Sequence, residues 1–151
     1  MTIEAIPHED EVSRYIDSPL RFSAAERKLI ETNIFQFPSA DGNRESLIWR
    51  KYKPTLAELH AMGCARQAQK RVQNSTWTYE GAITAVVGAV RRLRNSRGNG
   101  FVVEHDPEEG IHHVTIRFLR REGYELRRAE KSELKDMLVK VFRPIDRHSC
   151  A

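Results

Sequence analysis

Between Gly100 and Leu119 the chain reads as two strands joined by a turn, and no other stretch narrows the possible folds as much. Gly100-Phe101-Val102-Val103-Glu104-His105 and Ile111 to Leu119 are rich in branched and aromatic residues. Asp106-Pro107-Glu108-Glu109-Gly110 between them has the composition and length of a hairpin connection. In the second strand Val114, Ile116 and Phe118 share one face by the two-residue period, and His113, Thr115 and Arg117 share the other.

The rest of the chain reads mainly as helix. Ser23 followed by Glu26 is a capping-box pattern that predicts a helix over Ala24 to Phe35, ended by Phe37 and Pro38 and a polar loop from Ser39 to Asn43. Leu47 to Tyr52 reads as a short strand, with a helical extension as the competing reading. Thr55 and Glu58 form a second capping box, and the helix after them is expected to bury Ala61, Ala65, Ala68 and Val72. Beyond Trp77 and Tyr79, the residues Ile83, Val86, Val87, Val90 and Leu93 form an apolar stripe at helical spacing. Gly123 opens a turn or a short strand through Leu126, and a last helix runs from about Lys131 to Phe142, with Leu134, Leu138 and Val141 inward, before Pro144. The expected architecture is α+β: about four helices packed with a small antiparallel sheet that contains a hairpin at 101–119. A flexible arm is expected at 1–12, one globular domain at 13–147 and a frayed C-terminus at 148–151.

Length and composition agree with one domain, since 151 residues with 40% apolar content suffice for a core. The net charge of +4 is unevenly spread: residues 1–40 sum to −3, residues 41–99 to +7 and residues 100–151 to 0. Such a basic middle segment attracts polyanions through a long-range, salt-dependent field. The cysteines, Cys64 and Cys150, stand far apart, so no disulfide is expected, and no spacing suggests zinc or a redox dithiol. The acidic N-terminal stretch lacks the apolar run of a signal peptide, and the longest weakly polar run, Gly81 to Val90, is too short to span a membrane. A soluble, reducing, cytoplasmic setting is the resulting expectation.

The candidate binding residues are the arginines of the joint at 91–100, namely Arg91, Arg92, Arg94 and Arg97, together with Arg66, Lys70 and Arg71, and with Arg117, Arg120 and Arg121 from beyond the hairpin. Arginine suits phosphate because its planar fork donates two parallel hydrogen bonds. A solvated helix end, with positive charge opposing the negative pole of the helix dipole, explains the same joint without any ligand. Trp49, Tyr52, Trp77 and Tyr79 would add stacking wherever they are exposed.

Three further clusters carry less. Thr55 to Val72 loosely resembles a helix-turn-helix, with a break at Met62-Gly63-Cys64. That family places a small residue where this chain has Leu59 and an apolar one where it has Gln69, so a continuous helix is the stronger expectation. Glu104, His105, Asp106, Glu108, Glu109, His112 and His113 gather imidazoles and carboxylates near the turn, but with no diagnostic metal or catalytic spacing. Cys64 lies one turn after His60, without an orienting carboxylate, and reads as a small half-buried side chain. The function expected is therefore a non-enzymatic nucleic-acid-binding or nucleoprotein-associated module with a basic surface, needing no cofactor or metal. The alternative is an adaptor or inhibitor that grips an acidic protein surface.

Overall fold

Val114, Ile116 and Phe118 are all buried, as their two-residue period requires, and they face an aromatic core with Phe37 at its centre. The Phe37 ring lies 4.4 Å from that of Phe118 and 5.8 Å from that of Phe101 between centroids. The structure is a computed structural model, and it describes residues 2–39, 42–120 and 122–150.

In chain order the elements are β1 (Glu11–Ser18), β2 (Phe22–Ser23), β3 (Lys28–Leu29), α1 (Glu31–Ile34), β4 (Arg44–Trp49), α2 (Leu56–Lys70) and β5 (Thr78–Val86), followed by α3 (Val87–Arg91), β6 (Gly100–His105), β7 (His113–Leu119), α4 (Arg128–Lys140) and β8 (Asp146–Arg147). Six strands form one antiparallel sheet in the order β6-β7-β4-β1-β5-β8, and β2 pairs with β3 separately. The class is α+β with a hairpin of β6 and β7, whose register runs from Gly100 opposite Leu119 to His105 opposite Val114. The sheet is larger than the sequence suggested. Among the described residues no helix is long and apolar enough to cross a membrane.

Two helical expectations are corrected. Over Ala24 to Phe35 the chain forms the β2–β3 turn and the four-residue α1 instead. Ser23 Oγ does accept the Glu26 amide at 3.1 Å, but Arg27 then adopts a φ of 55° and closes a turn. The stripe from Ile83 to Leu93 divides between β5 and the short α3. β5 lies between β1 and β8 with its interior residues buried on both faces, and a strand covered on both sides has no two-residue alternation to read.

β1 escaped the sequence reading altogether. Val12 and Ile16 point into the core, and between them on the same face sits Arg14, a charge where the pattern asks for an apolar residue. Its guanidinium is ion-paired with Glu45 and also donates to Ser46 O at 2.9 Å and Ile34 O at 3.1 Å. Burial pulls its pKa down to about 10, so it stays protonated at neutral pH. The stretch before β1 packs against the domain: Ile6 is buried, and Glu4 bonds to Lys51 and Tyr52.

α2 is one unbroken helix from Leu56 to Lys70, so the break at Gly63 and the helix-turn-helix it would have made are absent. Thr55 caps it as expected, accepting the Glu58 amide at 3.1 Å. The buried side, however, is Leu59, His60, Gly63 and Gln67 rather than Ala61, Ala65, Ala68 and Val72. All but Leu59 serve Tyr79. His60 Nδ1 meets the Tyr79 hydroxyl at 2.8 Å, Gln67 Oε1 accepts the Tyr79 amide at 2.9 Å, and Gly63 lies under the ring.

At the other end, α4 buries Leu134 and Leu138 against the aromatic core as the spacing predicted. Gly123 lies in a turn, while Tyr124 to Leu126 forms no strand. The C-terminal segment is pinned: β8 pairs with β5, the His148 amide donates to Glu80 O at 3.0 Å, and Cys150 is joined to Cys64 by a disulfide. This disulfide overturns the expectation of two separate cysteines. Spacing carried no sign of it, because an 86-residue separation is closed only by the pairing of β8 with β5 beside α2.

Candidate functional site

Seating α2 on Tyr79 leaves much of one sheet face without a helical cover. On that face the alternate residues of β1, β4 and β7 are Ser13 and Tyr15, Arg44, Ser46 and Ile48, and His113, Thr115 and Arg117, of which Ser13, Ile48 and Thr115 are buried, Ile48 against Leu59 of α2. The sequence had placed His113, Thr115 and Arg117 on a shared face. Between this surface and the flank of α2 runs an open cavity of about 960 Å³. Its helical wall includes Met62, Arg66, Gln69 and Lys70, its floor includes Tyr15 and Ile48, and Trp77 contributes to its lining.

Arg66 and Lys70 stand one helical turn apart on that wall and are exposed. Among the described residues neither side chain has an ion-pair or hydrogen-bond partner, although many other cations of the protein are neutralised. Asp17, also in the lining, is engaged by Arg21 at 2.6 Å. Glu109 adds one exposed carboxylate. The free charge on the helical wall is therefore positive.

The floor is aromatic and polar. The Tyr15 ring meets the edge of Tyr79 at 5.5 Å between centroids, and its hydroxyl is buried without a partner among the described residues. Burial pushes its pKa up to about 12, so it remains a hydrogen-bond donor under all ordinary conditions. His112 and His113 both line the cavity, because His112 precedes β7 and is free of the strand's alternation. His113 Nε2 lies 2.9 Å from Ser46 Oγ. Burial first, then Lys53 and His113, hold the His112 pKa below its ordinary value. His105, by contrast, is a core histidine: its Nδ1 accepts the Glu4 amide at 3.0 Å, which leaves Nε2 to donate to Ile111 O at 2.8 Å.

The joint at 91–100 is built differently from the cavity wall. Arg91 donates to Ile6 O at 2.6 Å and Val103 O at 2.9 Å, tying the N-terminal stretch to β6. Arg94 donates to Arg91 O and Leu93 O at 2.7 Å each, closing the end of α3. Arg92 and Arg97 are exposed. Arg71 binds Trp77 O at 2.8 Å and so fixes the link between α2 and β5. Arg117 and Arg120 flank a separate cavity of about 200 Å³, each beside a carboxylate, Glu104 at 3.3 Å and Glu125 at 3.1 Å. Arg121 lies outside the described residues.

The four aromatics considered for stacking divide evenly: Trp49 and Tyr79 are buried, whereas Tyr52 is half-buried and Trp77 lines the cavity. Tyr15 was not singled out from the sequence, because β1 itself was unread. Comparison with known protein families, with curated proteins and with solved structures finds no match to this chain.

Proposed function

We propose that the chain is a nucleic-acid-binding module, and that its binding surface is the groove between α2 and the open sheet face. The observation that carries this reading is the pair of unpartnered cations, Arg66 and Lys70, on the wall of a cavity whose lining includes the aromatic rings of Tyr15 and Trp77. Cations that track a backbone beside rings that accept bases form the usual combination for single strands. The neighbouring sheet face adds Arg44, which stands opposite Arg117, itself already paired with Glu104. Arg92, Arg94 and Arg97 add exposed charge to the long-range attraction without lining the groove.

Tryptophan fluorescence tests the reading, because the protein holds two tryptophans and Trp49 is buried. A single-stranded oligonucleotide should quench the emission of Trp77, and Trp77→Phe should remove the response. Polyglutamate carries comparable charge without bases. If it produces the same change as the oligonucleotide, the ligand is an acidic protein surface and this proposal fails.

A further inference from the structure

On the flank of α2 that faces away from the groove, Cys64 meets the C-terminal segment, and there the structure gathers metal-ligating groups that the sequence keeps apart. The two sulfurs of Cys64 and Cys150 and an imidazole nitrogen of His148 lie within 4.8 Å of one another. Donors at the edges of a tetrahedral zinc site stand roughly 3.3–3.8 Å apart, so side-chain movements of about 1 Å complete the set. Among the described residues neither ring nitrogen of His148 has a hydrogen-bond partner, and the three residues are half-buried, within reach of solvent.

His148 is also held in place. Its ring stacks on that of His60 at 4.4 Å between centroids and 8° between planes. His60 is itself fixed, with Nε2 at 2.9 Å from Asp146 Oδ1 and Nδ1 at 2.8 Å from the Tyr79 hydroxyl. The backbone is tied down by β8, which immediately precedes His148, and by the amide of His148 on Glu80 O. A disulfide alone needs none of this support. Oriented imidazoles around two sulfurs are what a thiolate-rich metal site needs.

We propose that reduction of the Cys64–Cys150 disulfide creates a zinc-class metal site, in which the two thiolates and His148 bind the ion and the fourth position stays open to water. His60 acts as a positioning residue through its stack on His148. The disulfide takes up two electrons and two protons from two molecules of a small thiol, which leave joined as their own disulfide. Binding of the divalent cation then releases the two thiol protons. The same two cysteines thus hold the C-terminal segment on α2 by a covalent bond when oxidised and through a metal when reduced.

Cobalt(II) is the probe, used on the full chain after reduction with a phosphine, which becomes its oxide with oxygen taken from water, and desalting without air. The reduced protein should bind one Co²⁺ per chain, with thiolate-to-cobalt charge-transfer absorption and the visible bands of a tetrahedral ion, and Zn²⁺ should displace it. The oxidised protein should show neither. His148→Ala and His148→Gln keep both cysteines and should weaken binding at least about tenfold, with circular dichroism confirming that each variant is folded. Zn²⁺ should also protect both thiols of the reduced wild type from alkylation. The proposal is overturned if reduced wild type binds no more Co²⁺ than the Cys64→Ser, Cys150→Ser double variant, if folded His148 variants bind as tightly as wild type, or if the reduced chain stays unfolded in Zn²⁺.

Discussion

Gly63 lies beneath the ring of Tyr79, so close that a Cβ would fall 2.3 Å from Cζ. The glycine serves close packing in the middle of an unbroken helix, and it sets the depth at which α2 sits on β5. Helix propensity alone predicts that Gly63→Ala is stabilising by about 0.8–1.0 kcal/mol. Overpacking a filled site costs about 1–3 kcal/mol, and here the obstacle is a buried ring held at its amide and its hydroxyl. Gly63→Ala should therefore lower stability in urea titration, by up to about 2 kcal/mol net.

Arg14 and Glu45 supply the second prediction. Both side chains are nearly buried, and their ion pair bridges β1 and β4 on the core face. Removing one partner of such a pair leaves an uncompensated charge, at a cost of about 3–5 kcal/mol. Glu45→Ala should cause a loss of that order. The double change of Arg14→Met with Glu45→Leu should recover part of it, because apolar residues of similar volume remove the desolvation cost along with the charges, while the Ser46 and Ile34 carbonyls lose the Arg14 donors. Equal losses in the single and double variants would contradict this account of β1.

The joint at 91–100 separates support from exposure. Arg91→Gln loses charged hydrogen bonds to Ile6 O and Val103 O and should cost about 2 kcal/mol. Arg97→Gln changes an exposed residue and should stay within about 0.5 kcal/mol of wild type. Thermal denaturation of the two variants side by side makes the comparison.

His112 gives a pH dependence of known sign. Its folded pKa lies below the ordinary value of 6.5, first because of burial and then because of Lys53 and His113. Below 6.5 the unfolded chain binds this proton more readily than the folded one, so the stability tied to neutral His112 is present above that pH and is lost as pH falls. His112→Gln has nothing to titrate. Its Tm should therefore fall less than that of wild type between pH 7.5 and pH 5.5, and an equal fall would exclude this role.

How much of this was legible follows the physics of each element. The β6–β7 hairpin was readable because one of its faces is core and the other is not, which is the condition for alternation. The start of α2 was readable from the Thr55 cap, and α4 from Leu134 and Leu138. β1 was hidden by Arg14, whose partner Glu45 is 31 residues away. β5 was mistaken for helix because burial on both faces erased its period. Arg66 and Lys70 were visible as cations, and His112 and His113 as imidazoles. The groove that unites them depends on how α2 sits around Tyr79 and on Tyr15 from the unread strand, and no local spacing encodes either.

The most direct measurement of the central claim is the salt dependence of binding to a labelled single-stranded oligonucleotide, followed by fluorescence anisotropy. Wild type should bind with an affinity that falls as salt rises. Arg66→Gln with Lys70→Gln should bind at least about tenfold more weakly at low salt, and its plot of log K against log salt should be shallower by about 1.4, or about 0.7 for each phosphate that the variant no longer neutralises. No binding by wild type, or an unchanged slope and affinity in the double variant, would contradict the assignment of the groove.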